Sequence, residues 1–241
     1  MLRNATHGEE LPVCVLSPKQ ANGMTVIWID SAGKAGLYAD DRGTSRVTPF
    51  VKKLLASGAT VIGVDLFHQG EFLTDGKIFA RTRLVNDSPI AAYTIGYNHP
   101  LFAQRVHDVL SVVQFARAVA APGAKLSVIG LNGAGPWVAA ARAQSGDAID
   151  RAAIATGGFR FGNITDIQEV NFLPGGAKYD DLTGMLALSA PRPLWLAGEG
   201  AAAEVVRSHY QAAGAKGRLV IHPGGEEQAR DAAVAWLIAD R

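Results

Sequence analysis

The sequence predicts an α/β protein of three layers, in which helices cover both faces of a mainly parallel central sheet. Strand-like and helix-like segments alternate from about residue 24 to the end, which is typical of this architecture. Residues 59–66 (ATVIGVDL) form a nearly continuous apolar run, as expected for a strand covered on both faces. The chain has 241 residues, 48% of them apolar, which is enough to bury a sizeable core. We therefore expect one domain over residues 1–241, either alone or excised from a longer protein.

Turn residues and apolar periodicity predict the elements of the first half. Residues 11–16 and 24–30 are strand-like, and the turn-rich stretch SPKQANG separates them. Residues 47–56 carry apolar side chains at helical spacing and stop before Gly58, a typical helix end. Residues 71–100 are mixed, polar and aperiodic, so we expect a loop there rather than a core element.

The second half alternates more regularly. Over residues 101–117 the apolar side chains fall at i, i+3 and i+4 intervals on one helical face. Residues 157–182 are rich in glycine and aromatic residues without a period, and an irregular region is expected there. The remaining predicted elements are strands at 125–130, 151–156, 193–198 and 218–222 and helices at 135–144, 202–213 and 226–238.

Composition excludes several classes of partner and cofactor. There are 23 basic and 22 acidic residues, a formal net charge of +1, so neither a nucleic acid nor an anionic membrane is an expected partner. Cys14 is the single cysteine, which excludes an internal disulfide. No His, Asp or Glu set has metal-ligand spacing, so we expect neither a metal nor another cofactor. No apolar run approaches the ~20 residues of a membrane span, and no signal peptide begins the sequence, so a cytoplasmic location is expected by default.

Residues 128–137, VIGLNGAGPW, have the strand–turn–helix pattern of a nucleophile elbow. In the G-x-S-x-G form of this corner, a strained turn lifts a serine above the sheet, next to backbone N–H donors. Here Asn132 occupies the apex, two residues after Gly130. A carboxamide nitrogen is a poor nucleophile because it is delocalised into its carbonyl, whereas Asn tolerates the left-handed backbone of an apex. These properties favour a structural role for Asn132.

Four further stretches resemble one family. TVIGVDLFHQGE (60–71) is similar to the D-x-x-G-x-G-x-S strand and loop of α/β-hydrolases. Residues 97–118, with Arg105 and Asp108, resemble the helix before the elbow in acetylxylan-esterase-like and dienelactone-hydrolase-like enzymes. RPLWLAGEG (192–200) and RLVIHPGGEE (218–227) resemble the strands that precede the catalytic acid and histidine. The resemblance covers roughly residues 10–240. It implies the α/β-hydrolase fold, no cofactor, and a small ester or acylated carbohydrate as the ligand.

The resemblance also implies a catalytic triad, and the sequence departs from it at each position. Asn132 replaces the serine. The usual acid position after Gly198 holds Ala201, which leaves Glu199 as the candidate acid. The expected histidine position holds Glu226, which leaves His222, at the end of its strand, as the candidate base. The oxyanion donors would be the backbone N–H groups of Gly133 and of Ser31 or Ala32.

His68 and Trp137 are the candidate pocket-lining residues. His68 follows a strand at the carboxyl edge of the sheet, where open α/β sheets bind ligands, and Trp137 lies in the helix after the elbow. Three functional hypotheses follow. The chain is a carboxylic-ester hydrolase with an unusual triad, or an inactive pseudo-hydrolase that serves as a structural or binding domain. A more distant alternative is a nucleotide-binding protein, because GLNGAGPW resembles a dinucleotide-binding turn. The sequence leaves the oligomeric state and any flanking domains open.

Overall fold

In the computed structural model of the chain, the described residues are 1–39, 46–74, 81–82, 96–224 and 226–239, without the side chains of 226 and 227. Within them, seven strands form one sheet and two more form a small hairpin. The hairpin strands are β1 (Leu2–Asn4) and β2 (Glu9–Leu11); the sheet strands are β3 (Val13–Leu16), β4 (Met24–Ile29), β5 (Thr60–Val64), β6 (Lys125–Gly130), β7 (Arg151–Ala155), β8 (Leu194–Ala197) and β9 (Leu219–His222).

The sheet has the order β3-β5-β4-β6-β7-β8-β9. The first of these strands is antiparallel to its neighbour, and the other pairs are parallel. Residues Ile29 and Gly130 are paired in register, as are Ala197 and His222. The carboxyl ends of β4, β6, β8 and β9 therefore meet at one edge of the sheet, where the segments that follow them are brought together.

Helices cover both faces. The described helices are α1 (Pro49–Ala56), α2 (Leu101–Val119), α3 (Gly135–Gln144), α4 (Asp181–Ala187), α5 (Ala203–Ala212) and α6 (Glu226–Ala239). Helices α2 to α5 pack on one face and α1 and α6 on the other, in two separate apolar clusters. Along β4, Ile27 and Ile29 point to the first cluster and Val26 and Trp28 to the second, so both faces of the strand are buried. This explains the continuous apolar pattern of the central strands.

The predicted α/β architecture and mainly parallel sheet are confirmed. Strand β6 and helix α3 have the predicted bounds, and most other elements lie within two residues of theirs. The hairpin β1–β2 and helix α4 were not predicted. Helix α4 has only seven residues, too few to show a period, and its first residue, Asp181, is the third of three consecutive residues with positive φ, after Tyr179 and Asp180. Much of the loop predicted over 71–100 lies outside the described residues. No helix of the described residues has the length and hydropathy to cross a membrane.

Candidate functional site

The turn between β6 and α3 has the backbone of an elbow. Asn132 lies in the left-handed region with φ of 53°, and Gly133 follows with φ of 84°. Asparagine is among the few residues other than glycine that adopt this conformation readily. The interpretation of Asn132 as a residue suited to a strained apex therefore agrees with its backbone.

Two glycines of this turn are required by packing. A Cβ atom on Gly130 would lie 2.6 Å from Cγ2 of Val138, and one on Gly135 would lie 2.0 Å from the carbonyl oxygen of Ala155. These distances are far below normal van der Waals contact, and the second is to backbone that cannot rotate away. The glycines thus allow α3 to pack directly against β6 and β7.

The side chain of Asn132 is held by a buried carboxylate. Its Nδ2 atom donates a hydrogen bond to Oδ1 of Asp30 at 3.0 Å. Asp30 follows β4 and is only 3% exposed, and the same Oδ1 atom accepts the backbone N–H of Ala32 at 2.9 Å. The amide therefore ties the elbow to the segment after β4.

Gln69 fixes that segment from the other side. Its Nε2 atom donates to the carbonyl oxygens of Ser31 and Asp30 at 2.9 and 3.2 Å, and its Oε1 atom accepts the N–H of Leu66. Gln69 is 1% exposed, so these bonds are shielded from water. The segments after β4 and β5 are consequently held in one arrangement beside the elbow.

Of the predicted oxyanion donors, two remain available. The N–H of Ala32 is taken by Asp30, whereas the N–H groups of Ser31 and Gly133 make no hydrogen bond to any described residue. Ser31 and Gly133 are also neighbours in space, because a Cβ atom on Gly133 would lie 3.7 Å from Cβ of Ser31. Free backbone N–H groups in neighbouring segments are the kind of donor that an oxyanion or carbonyl oxygen requires.

The predicted pocket residues flank a buried arginine. Arg105 donates from Nε to the carbonyl oxygen of Phe67 at 3.1 Å, and its guanidinium lies over the ring of Trp137, 4.6 Å from the centroid. Burial, with a smaller contribution from Arg105, lowers the pKa of the neighbouring His68. Trp137 is 3% exposed, and its Nε1 atom donates to Asn171 at 2.8 Å. Trp137 is thus buried and His68 is partly exposed, and a pocket-lining role for either residue stays a prediction.

Glu199 is enclosed by other side chains. Arg160 donates to both of its carboxylate oxygens, at 2.6 and 3.2 Å, and the hydroxyl of Thr156 donates to Oε1. The side chain of Glu199 has no solvent exposure, and that of Arg160 is 21% exposed. A carboxylate with these donors is neutralised by a partner other than a histidine.

Among the described residues, His222 makes no hydrogen bond or ion pair with Asn132 or Glu199. Its ring stacks on Trp195 with a centroid separation of 5.2 Å and an interplanar angle of 28°. Its Nε2 atom is buried and has no hydrogen-bond partner there. The hydrogen bonds of Asn132, Glu199 and His222 therefore do not connect them into a relay; whether any of them acts in catalysis stays a prediction.

Comparisons with known proteins identify the architecture. No protein-family model and no curated protein matches the sequence. Among solved structures, a candidate acetyl xylan esterase from Bacteroides fragilis is 16% identical, with a TM-score of 0.63 over 87% of this chain and 62% of that one. Est1E from Butyrivibrio proteoclasticus with ferulic acid bound is 14% identical, with a TM-score of 0.58 over 95% and 94% of the two chains. A candidate dienelactone hydrolase from Klebsiella pneumoniae is 15% identical, with a TM-score of 0.56 over 97% and 95%.

The chain has the α/β-hydrolase fold. The predicted resemblance to the esterase-like and dienelactone-hydrolase-like members is thereby confirmed at the level of the fold. This chain spans less than two thirds of the Bacteroides fragilis protein, so that protein's activity is not carried over with its architecture.

Sequence reasoning missed the partners that occupy the site of this α/β-hydrolase fold. Arg160 and Thr156 bind Glu199 across 39 and 43 residues of chain, and Asp30 binds Asn132 across 102. None of these pairs has a fixed spacing that a motif can capture. The sequence offered one signal for these partners, their position in the chain. Asp30 and Thr156 directly follow strands whose carboxyl ends lie at the same edge of the sheet.

Asn132→Asp is expected to make the stability of this α/β-hydrolase-fold protein depend on pH. The new carboxyl would face Asp30, and of two adjacent carboxyl groups one has its pKa raised. In the unfolded chain this carboxyl has a pKa of about 4, below its raised value in the folded protein. Below that pH both states are protonated and stability is unaffected, whereas at higher pH the unfolded state loses its proton more readily and stability falls. Urea unfolding should therefore show a stability loss against wild type that grows from about pH 4 to about pH 7. Asn132→Ala removes the hydrogen bond but adds no charge, so its stability loss should depend on pH less strongly. A profile for Asn132→Asp no steeper than that of Asn132→Ala would contradict the contact.

Proposed function

We propose that this protein is a non-hydrolytic α/β-hydrolase-fold domain that binds a small ester or acylated carbohydrate at the carboxyl edge of its sheet. The hydrogen bond from Asn132 to buried Asp30 supports this most directly. It fixes the apex side chain in a structural contact, and a carboxamide at that position supplies no nucleophile. The elbow is then a rigid wall of a binding site.

The surroundings of the other two candidates support the same proposal. In a serine hydrolase the acid orients the histidine, and the histidine activates the nucleophile. Here the carboxylate of Glu199 is bound by Arg160 and Thr156, and the ring of His222 rests on Trp195. Replacing Asn132 alone would therefore not restore a proton relay.

Binding of an acyl group is supported by the two free N–H donors. Ser31 and Gly133 are neighbours in space at the elbow, and their N–H groups have no protein acceptor among the described residues. A carbonyl or carboxylate oxygen fits such donors. Ferulic acid is bound to Est1E from Butyrivibrio proteoclasticus, a structure with similar architecture, which makes a carboxylate or ester a reasonable ligand class here.

The second candidate function is hydrolysis of a carboxylic ester. The same pair of N–H donors favours it, because they are the donors that stabilise the oxyanion of acyl transfer. In that case His222 would act as the base and Glu199 as the orienting acid, after a rearrangement that releases Glu199 from Arg160.

An esterase assay separates the two functions. With short p-nitrophenyl esters we expect wild type and Asn132→Ser to show no turnover above the buffer rate, because neither has a connected histidine. His222→Ala serves as the matched control, since it removes the only candidate base. Turnover by wild type that His222→Ala abolishes would refute the non-hydrolytic proposal and establish the esterase.

Calorimetric titration tests the binding half of the proposal. Ferulic acid and an acetylated xylo-oligosaccharide are the probes. Saturable binding of either one to wild type is expected, and Asn132→Asp should weaken binding of the anionic ferulate because it adds negative charge beside the two N–H donors. Absence of binding by both probes, together with absence of turnover, would leave the purely structural role and contradict the proposal.

A further inference from the structure

Arg142 is a buried cation far from the candidate site. It lies in the last turn of α3 and is 2% exposed. Its Nη1 atom donates to the carbonyl oxygen of Gly146 at 3.0 Å and to Oγ of Ser145 at 3.3 Å. These acceptors cap the end of the helix and carry only partial charge. No carboxylate of the described residues forms an ion pair with Arg142.

The other side of this guanidinium is buried without a partner. Both Nε and Nη2 of Arg142 have essentially no solvent exposure and no hydrogen bond within the described part of the chain. Arginine presents all of its N–H groups as donors and accepts no hydrogen bond. A buried charge with unmet donors is costly, and folded proteins normally provide it with a partner.

Neighbouring groups do not supply that partner, because no oxygen of the described residues accepts a hydrogen bond from Nε or Nη2 of Arg142. The hydroxyl of Tyr210, the largest electrostatic neighbour after burial itself, donates to the carbonyl oxygen of Arg192. Asp147 is paired with Arg192, a second cation close enough to oppose the charge of Arg142. Burial is the main cause that lowers the pKa of Arg142, and Arg192 adds to it, while Asp147 and Asp150 act in the opposite direction.

Two further polar groups of this region, Asp150 and Ser189, also leave these donors unmet. Asp150 accepts from Arg117 and from the N–H of Leu126 through Oδ2, at 2.7 and 2.8 Å, and it forms no ion pair with Arg142 among the described residues. The Oγ atom of Ser189 is buried and unpartnered, and Ser189 accepts the N–H of Arg192 in the turn that contacts Tyr210. None of these oxygens accepts from Nε or Nη2 of Arg142, so the two buried donors have no acceptor among the described residues.

We propose that the Nε and Nη2 face of Arg142 binds a small monovalent anion of the size of chloride. An anion accepts several N–H bonds at once and neutralises the buried charge, whereas water would meet the hydrogen bonds and leave the charge. This site is separate from the proposed function, because about 10 Å of helix lies between the elbow and Arg142. Its role is to stabilise the packing of α3 against the segment after it.

Thermal unfolding at constant ionic strength tests the site. Replacing fluoride by bromide should raise the midpoint of wild type by roughly 5 °C when bromide is near 100 times its Kd. Arg142→Met removes the charge and the donors while filling the same space, and it should lose this rise. The control Arg207→Met removes an exposed cation paired with Glu204 and should keep the full rise. Equal midpoints in the two salts, or an equal rise in Arg142→Met, would overturn the proposal.

A crystal of wild type soaked in bromide gives an answer that does not depend on a variant's folding. We expect an anomalous peak within hydrogen-bond distance of Nε and Nη2 of Arg142. A water molecule there, with no anomalous signal, would overturn the proposal. Neither result bears on ester binding at the elbow, so the two proposals fail independently.

Discussion

Gly135→Ala is expected to lower the free energy of unfolding by about 3 kcal/mol or more. Alanine is the better helix former by about 1 kcal/mol, and Gly135 does not have a positive φ, so local preference alone predicts a stabilisation. A steric clash turns this expected stabilisation into a loss, because the new Cβ atom would lie 2.0 Å from the carbonyl oxygen of Ala155. Relief requires moving α3 away from β7, which breaks the packing of Trp137 and Val138 against the sheet.

Urea unfolding followed by circular dichroism measures this loss. Gly217→Ala is the matched control, since it is exposed and a Cβ atom there meets nothing within 4 Å. The control should change stability by less than about 0.5 kcal/mol. If Gly135→Ala is as stable as Gly217→Ala, then α3 does not pack against β7 as described, and the rigid elbow of the proposed binding site is lost with it.

Glu199→Ala is expected to cost about 3 kcal/mol, because it leaves Arg160 and Thr156 without their buried acceptor. The expected loss is at the low end for a broken buried pair, since the side chain of Arg160 is 21% exposed and water can partly compensate it. The control is Glu204→Ala, which removes an exposed partner of Arg207 and should cost less than about 1 kcal/mol.

A double variant separates the charge from the packing. Combining Glu199→Leu with Arg160→Met removes both charges and keeps apolar volume, so it should recover much of the stability that Glu199→Ala loses. If the double variant loses as much stability as Glu199→Leu and Arg160→Met lose together as single variants, the two side chains do not interact. The same variants also test the esterase alternative, which requires Glu199 to be free for His222.

The sequence predicted the fold better than the site. Strand β6 and helix α3 were predicted with their bounds because glycines and apolar periodicity are local signals, read over a few residues. The hairpin β1–β2 and helix α4 were missed because elements of three and seven residues are too short to show a period. At the site, the sequence placed Asn132 at the apex and put Ser31 beside the elbow, since the order of elements fixes which segments follow which strands. The role of Ser31 and Gly133 as oxyanion donors stays a prediction.

By itself, the sequence determined the α/β architecture, the mainly parallel sheet and the elbow with a carboxamide at its apex. Only the tertiary structure decided what each polar side chain at that edge binds. Asn132 meets Asp30 across 102 residues and Glu199 meets Arg160 across 39, and such partners are selected by the closure of the sheet and the packing of its loops. The physical reason is that periodicity and turn propensity act along the chain, whereas a buried carboxylate takes whichever donors the completed fold brings within about 3 Å of it.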